Sequence, residues 1–207
     1  MTRLRDAIES VSNAIIAQKE FLTQLDRVIG DGDHGINMAR GFEAVLERID
    51  AMDDTSQPGP VFQSVGKALM STVGGAAGPL YATAFLRAAE ACDETTAFNV
   101  ASVEKLLAAA IKGVQERGKA VRGDKTMLDV LIPVHEVFVE GLEKERTLFE
   151  CMGIASRVAK ESTDYTKTIA AKKGRASYVG ERSIGHADPG AASSAVMVRA
   201  LYTFLRR

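Results

Sequence analysis

Apolar residues recur at three- and four-residue intervals along almost the whole chain, and no clean run of β-branched residues alternates with polar ones. That periodicity constrains the fold more than any other feature. It paints an apolar stripe along one side of a helix and leaves a sheet no face to bury. The spacing predicts about eight helices, over 2–24, 35–51, 60–72, 79–91, 102–117, 124–142, 147–172 and 190–206. The breaks fall at IGDGDHG, DDTSQPGP, VGGAAGP, DETTAFN, ERGKAVRGD, GLEKER and KKGRASYVGERSIGHADPG. Most are short, so neighbouring helices should run antiparallel. Pro133, inside the sixth helix, should kink it or mark a turn. The expected fold is all-α, an up-and-down bundle, and 207 residues without a linker or internal repeat suit one domain with a substantial core.

Several function classes drop out on composition. A net charge of −1 leaves no basic footprint for nucleic acid. No apolar run approaches the roughly 18 residues that a membrane span needs. MTRLRDAIES turns acidic where the apolar region of a signal peptide would begin. Cys92 and Cys151 are far apart and in no metal or redox spacing, which suits a reducing compartment. The expected location is cytoplasmic.

Alternate connections of an up-and-down bundle lie at the same end. Counted from the first helix, every second connection is glycine-rich: IGDGDHG, VGGAAGP, RGKAVRGD and GRASYVGERSIGHADPG. Four chemically unusual loops converging on one face make a site.

The first loop matches GxGxxG through Gly30, Gly32 and Gly35. A dinucleotide fingerprint needs a preceding strand and a loop able to approach a pyrophosphate. Here the preceding residues are helical in period, and Asp31 and Asp33 would repel a bare phosphate. Asp26, Asp31 and Asp33 can converge on one point around the glycine turn, and without a cation their charges would oppose each other. An all-oxygen donor set favours Mg2+ or Ca2+ over zinc, and the glutamate that ends an EF-hand loop is missing. Mg2+ is usually shared with substrate phosphates, which points to a nucleotide. The plainer alternative is that Asp33 caps the helix starting near Gly35 while the other two are solvated. Mg2+ selects against imidazole, so His34 is better suited to a phosphate. His135 sits mid-helix as a packed structural residue, and the role of His186 is open.

GGAAGP, from Gly74 to Pro79, opens a helix with free N–H groups that can cradle phosphate, or else simply allows close helix packing. GKAVRGDKTM, from Gly118 to Met127, approaches a Walker A loop, but Asp124 interrupts the required Gly-Lys pair and no strand precedes it. Asp124 is instead expected to cap the sixth helix, with Gly118 and Met127 forming a wall for adenine. The last loop supplies Arg175 and Arg182 for phosphate or carboxylate contacts. Three Asp residues and a nucleoside diphosphate total about −6, and two Mg2+ with Arg175 and helix N-termini would offset most of that charge. No side chain looks like a covalent nucleophile, and phosphoryl transfer is a reaction in which positioning and charge stabilisation suffice.

Taken together, LDRVIGDGDHGINMARGF, GGAAGPLY, GDKTMLDVLIP and GRASYVGERSIGHADPGAASS closely resemble DhaL, the nucleotide-binding subunit family of bacterial dihydroxyacetone kinases. The blocks run in the family's order from residue 25 to residue 194. The resemblance implies an eight-helix barrel with ADP, or ATP when phosphorylated, and two Mg2+ at one end. It implies Asp26, Asp31 and Asp33 as metal ligands, with His34, Gly35 and Asn37 beside the phosphates. Ala76, Ala77, Gly118, Met127, Arg175, Asp188, Pro189 and Gly190 would match the remaining nucleotide contacts, with His34 and Arg175 positioning phosphate. One departure is Ala77, where the family usually has Ser, so a hydroxyl contact to phosphate is missing. A chain holding this domain alone resembles the phosphotransferase-system enzyme. There a DhaM-like phosphohistidine partner rephosphorylates bound ADP, and a DhaK-like subunit holds dihydroxyacetone. Two other readings stay open: a subunit that consumes free ATP to phosphorylate dihydroxyacetone or another small ketose, and a regulatory module that contacts a transcription regulator.

Overall fold

The apolar stripes form nine α-helices among the described residues of the computed structural model, which are 2–53, 57–93 and 96–207. They are α1 (Thr2–Ala17), α2 (Lys19–Ile29), α3 (His34–Asp50), α4 (Pro58–Thr72), α5 (Ala77–Ala91), α6 (Val100–Gly118), α7 (Leu128–Glu143), α8 (Leu148–Tyr165) and α9 (Pro189–Leu205). Two 3-10 segments, Thr166–Thr168 and Arg175–Ser183, lie between α8 and α9. No strand occurs among the described residues. The expected breaks at 53–60 and 93–99 include residues outside the described ones.

The helices close into a ring. From α3 to α9 each packs on the next, α9 packs back on α1, and α1 packs on α3, while α2 lies against α3 and α9. Buried side chains fill this barrel in two regions. Phe42, Met38 and Val45 of α3 meet Ile15, Leu69 and Leu128 in the larger one, and Phe138 and Val134 of α7 meet Cys151 and Ala155 of α8 in the smaller. Each large apolar side chain buried this way contributes about 1.5–3 kcal/mol. Local signals fix several helix ends. Asn99 with Ser102 and Thr147 with Glu150 form capping boxes at the starts of α6 and α8, and Pro58 occupies the first turn of α4.

Four departures from the expected helices bear on the site. The first expected helix continues to Ile29 and is divided at Gln18, whose amide is shared between the carbonyls of Ala14 and Ile15 at 3.2 and 3.1 Å. The extension places Asp26 in the last full turn of α2. The sixth helix starts at Leu128, not at residue 124, and Asp124 does not cap it. Asp124 Oδ2 accepts the Val121 N–H within the loop at 2.9 Å. Asp129 accepts instead from Gly123 N at 2.6 Å and Thr126 N at 2.8 Å, tying the loop to the helix it precedes. The seventh helix ends at Tyr165, and beyond it the carbonyls of Thr166 and Ile169 accept from the buried ammonium of Lys125. Finally, α7 runs unbroken through Pro133, so that residue marks no turn.

Candidate functional site

Asp26 reaches from α2 across to the start of α3. Its Oδ2 accepts the N–H of Asp33 at 2.9 Å and of His34 at 3.1 Å, which satisfies two of the orphan amides of that helix. Asp33 occupies the N-cap position but makes no side-chain cap bond, so its carboxylate is free for another partner. The turn between them needs Gly32, whose φ of +74° suits glycine and whose missing Cβ would press on the Arg27 side chain. One oxygen each of Asp26, Asp31 and Asp33 lies within 4.8 Å of the others. Asp31 is also paired with Arg175, whose Nε donates to Oδ2 at 2.8 Å. A single guanidinium against three carboxylates leaves the cluster short of positive charge. Its hard oxygen donors fit a divalent cation such as Mg2+.

The acidic cluster forms one rim of a cavity of 860 Å3. The other walls come from Gly74–Ala77 with Pro79 and Leu80, from Gly118 with Lys125–Leu128, from Lys172–Tyr178 and from Asp188–Gly190. The N-termini of α3, α5, α7 and α9 therefore all open onto it. Every second stave of the ring points its positive dipole end at the same space, an environment suited to a polyanion. The start of α5 is the least satisfied of the four, since Ala76 at its N-cap has no side chain to offer. Gly75 just before it adopts φ +65° with no atom near its missing Cβ, so bare backbone faces outward there. Beside it, Leu80, Val114, Gly118 and Met127 supply apolar lining.

The cavity floor is a buried polar network. Tyr81 Oη lies 2.7 Å from Ser193 Oγ and 2.9 Å from Ser194 Oγ, and donates to the Gly190 carbonyl at 3.0 Å. Burial pushes the Tyr81 pKa up to about 12. His34 Nε2 lies 3.0 Å from Ser193 Oγ. Burial pulls the His34 pKa down to about 4, opposed by Asp26 and by the Pro189 carbonyl, so the ring is held neutral. Asp188 accepts the Ala191 N–H at 2.7 Å as the N-cap of α9, and burial raises its pKa to about 7.

Asp26, Asp31, Asp33, His34, Asn37, Ala76, Ala77, Gly118, Met127, Arg175, Asp188, Pro189 and Gly190 all line the cavity. Asn37 is anchored there by Arg40, whose Nη2 donates to Oδ1 at 2.7 Å. Gly35 does not line it: it packs against Lys19 and Thr23 of α2. Arg182 and His186 are exposed and also lie off the lining. His135, expected as a packed residue, is half-buried and lies 2.8 Å from Glu104 of α6. Sequence reasoning gave no role to Tyr81, Ser193, Ser194 or Lys125. The first three sit in the quoted GGAAGPLY and GAASS stretches, but only the closed ring, in which Tyr81 of α5 reaches across to α9, brings them together.

Residues 28–203 match the DAK2 domain family. The chain is 44% identical over 184 residues to the ADP-binding subunit DhaL of the PEP-dependent dihydroxyacetone kinase of Escherichia coli, covering 89% of this chain and 87% of that one. It is 39% identical over 183 residues to the ADP-binding subunit DhaL of the PTS-dependent dihydroxyacetone kinase of Lactococcus lactis, covering 88% and 86%. Among solved structures it superposes with a TM-score of 0.79 on the C. freundii dihydroxyacetone kinase in complex with AMP-PNP and Mg2+. At 21% identity, spanning 98% of this chain and 34% of that one, that likeness speaks for the fold alone.

Proposed function

This chain belongs to the DAK2 domain family, and from that premise we propose that it is the ADP-binding, phosphoryl-transferring subunit of a PEP-dependent dihydroxyacetone kinase. The observation that carries the reading is the facing arrangement of the three-aspartate cluster and the four helix N-termini around one cavity. Such a space takes a polyphosphate and its metal together. Asp26, Asp31 and Asp33 would hold two Mg2+, which supply neutralisation of charge on the transferring phosphoryl group when bound. The uncapped start of α5 binds phosphate through backbone N–H groups, and His34 adds a neutral hydrogen bond. Gly118 and Met127 receive the nucleoside. Arg175 lies within reach of the same phosphates from the opposite wall.

In this reading the subunit takes a phosphoryl group from a DhaM-like phosphohistidine partner onto bound ADP. It then passes the group to dihydroxyacetone held on a DhaK-like subunit. In the same reading the chain acts as a single domain and works in the cytoplasm. No helix among the described residues is long and apolar enough to cross a membrane. A role limited to docking on a transcription regulator would leave the three converging carboxylates without a use.

Acid release of nucleotide from the purified, desalted protein, followed by chromatography, tests this directly. The expected product is stoichiometric ADP that labelled ATP does not displace on prolonged incubation. An empty or freely exchanging site would replace the coenzyme role with consumption of free ATP. A second expectation concerns Ala77, the first residue of the uncapped α5. Ala77→Ser restores a hydroxyl beside the phosphate cradle, so the variant should fold normally and release ADP more slowly, by about two- to tenfold for one added hydrogen bond. A strong loss of ADP binding in that variant would mean that this loop does not contact phosphate.

A further inference from the structure

Lys125 is the one lysine among the largest fully buried side chains, 1% exposed, although it stands beside a cavity built for phosphate. A lysine in that place invites the reading of a phosphate ligand. Its hydrogen bonds exclude it. Nζ donates to the carbonyls of Thr166 at 2.6 Å, Ile169 at 3.1 Å, Ser183 at 2.7 Å and His186 at 2.6 Å. An ammonium has three N–H donors, so these four acceptors exhaust it. The carbonyls belong to both ends of the strap between α8 and α9. Residues 166–169 leave α8, residues 183–186 approach α9, and the span between them carries Lys172–Tyr178 into the cavity wall. Lys125 itself sits at φ +60°, a backbone state that non-glycine residues adopt only when their surroundings hold them there. Asp129 fixes that loop through Gly123 and Thr126.

Resting on the nucleotide reading above, we propose that Lys125 is a positioning residue that pins the strap and thereby sets Arg175, Asp188 and the start of α9 against the bound nucleotide. The neighbouring bonds work to the same end but are neutral. Gly185 N donates to the Lys167 carbonyl at 2.7 Å, Ala171 N to Ser183 Oγ at 2.8 Å and Asp188 N to Thr166 Oγ1 at 3.0 Å. They join parts of the strap pairwise. The middle of the strap also meets the loop between α6 and α7, where Lys172 N donates to the Asp124 carbonyl at 3.1 Å, but among the described residues the ammonium is the group that joins both ends of the strap to that loop.

Lys125→Met keeps the length of the side chain and removes the charge, leaving carbonyls without partners. The expected result is a folded, helical protein whose ADP dissociates at least about tenfold faster. Its strap should be open to trypsin, which has Lys167, Lys172, Lys173, Arg175 and Arg182 to cut there. Phe138→Leu, in the smaller core region away from the strap, serves as a matched loss of stability and should leave both readouts at wild-type level. Wild-type ADP retention and strap protection in Lys125→Met would overturn the proposal. So would equal strap cleavage in Phe138→Leu, since the effect would then be general destabilisation. If Lys125→Met does not fold, the same readouts on Lys125→Arg decide. Its planar fork cannot serve four converging carbonyls, and unchanged retention and protection there also overturn the proposal. The proteolysis arm needs no nucleotide. If the wild-type protein carries no ADP, the nucleotide reading fails while the strap result stands.

Discussion

Asp31→Ala and Asp33→Ala each lose Mg2+-nucleotide affinity by about a hundredfold or more while helical content and thermal stability stay near wild type. The separation of the two effects follows from geometry. Neither carboxylate caps a helix: Asp33 makes no cap bond, and Asp31 is paired only with the largely exposed Arg175. Removing either deletes a hard oxygen donor and little else. Asp26→Ala should differ. Its oxygen holds the amides of Asp33 and His34, so the variant loses nucleotide affinity and also about 0.5–2 kcal/mol of stability as a lost helix cap. Titration calorimetry with Mg-ADP, alongside thermal unfolding followed by circular dichroism, separates the three variants. Nucleotide binding left intact in both Asp31→Ala and Asp33→Ala would sink the metal-site assignment. An Asp26→Ala protein as stable as the other two would remove the cap from the account.

The contrast among these aspartates also marks how far the sequence could be read. Helix identities were legible because amphipathic period is a local property, and so was the gathering of glycine-rich loops at one end, which needs only alternation along the chain. That is why the residues assigned to the site from sequence line the cavity, Gly35 and Arg182 excepted. What stayed hidden depends on partners far along the chain. Residues 166–172 are helical in period, and the partners that hold them out of α8 are distant: the ammonium of Lys125, 41 residues away from Thr166, and Ser183 and Gly185 in the return of the strap. Asp124 and Asp129 are equally plausible caps on paper. In the fold both accept amides of the loop, Asp124 from Val121 and Asp129 from Gly123 and Thr126, around left-handed turns at Gly123 and Lys125 that the sequence does not announce. Tyr81 and Ser193 are 112 positions apart and look like ordinary helix residues until α5 and α9 face each other across the cavity floor. The continuation of α2 to Ile29 went unseen because glycine density drew the expected boundary too early, although it is this turn that delivers Asp26.

Gly35 is the residue for which sequence and structure part most sharply, and the difference has a large expected effect. In the HGIN segment it looks like a place where backbone approaches phosphate. In the fold it is buried in the first turn of α3, where a Cβ would fall on the carbonyl of Lys19 and on the side chain and amide of Thr23. Two of those three obstacles are backbone atoms of α2, so no rotamer change relieves them. Gly35→Ala must therefore push α2 and α3 apart. Overpacking of this kind costs about 3 kcal/mol, the upper part of its usual range. For a chain of this length that is a fall in Tm of about 6–12 °C. Because α2 carries Asp26 and the start of α3 carries Asp33, the same displacement separates two of the three proposed metal ligands, and Mg-ADP affinity should fall with stability. A glycine that merely admitted phosphate would behave otherwise, with affinity lost and Tm in the absence of nucleotide unchanged. Thermal unfolding of Gly35→Ala without ligand distinguishes these outcomes. An unchanged Tm there would return Gly35 to the phosphate side of the site, whereas a large fall makes it the contact that sets how closely the two helices bearing the acidic cluster approach.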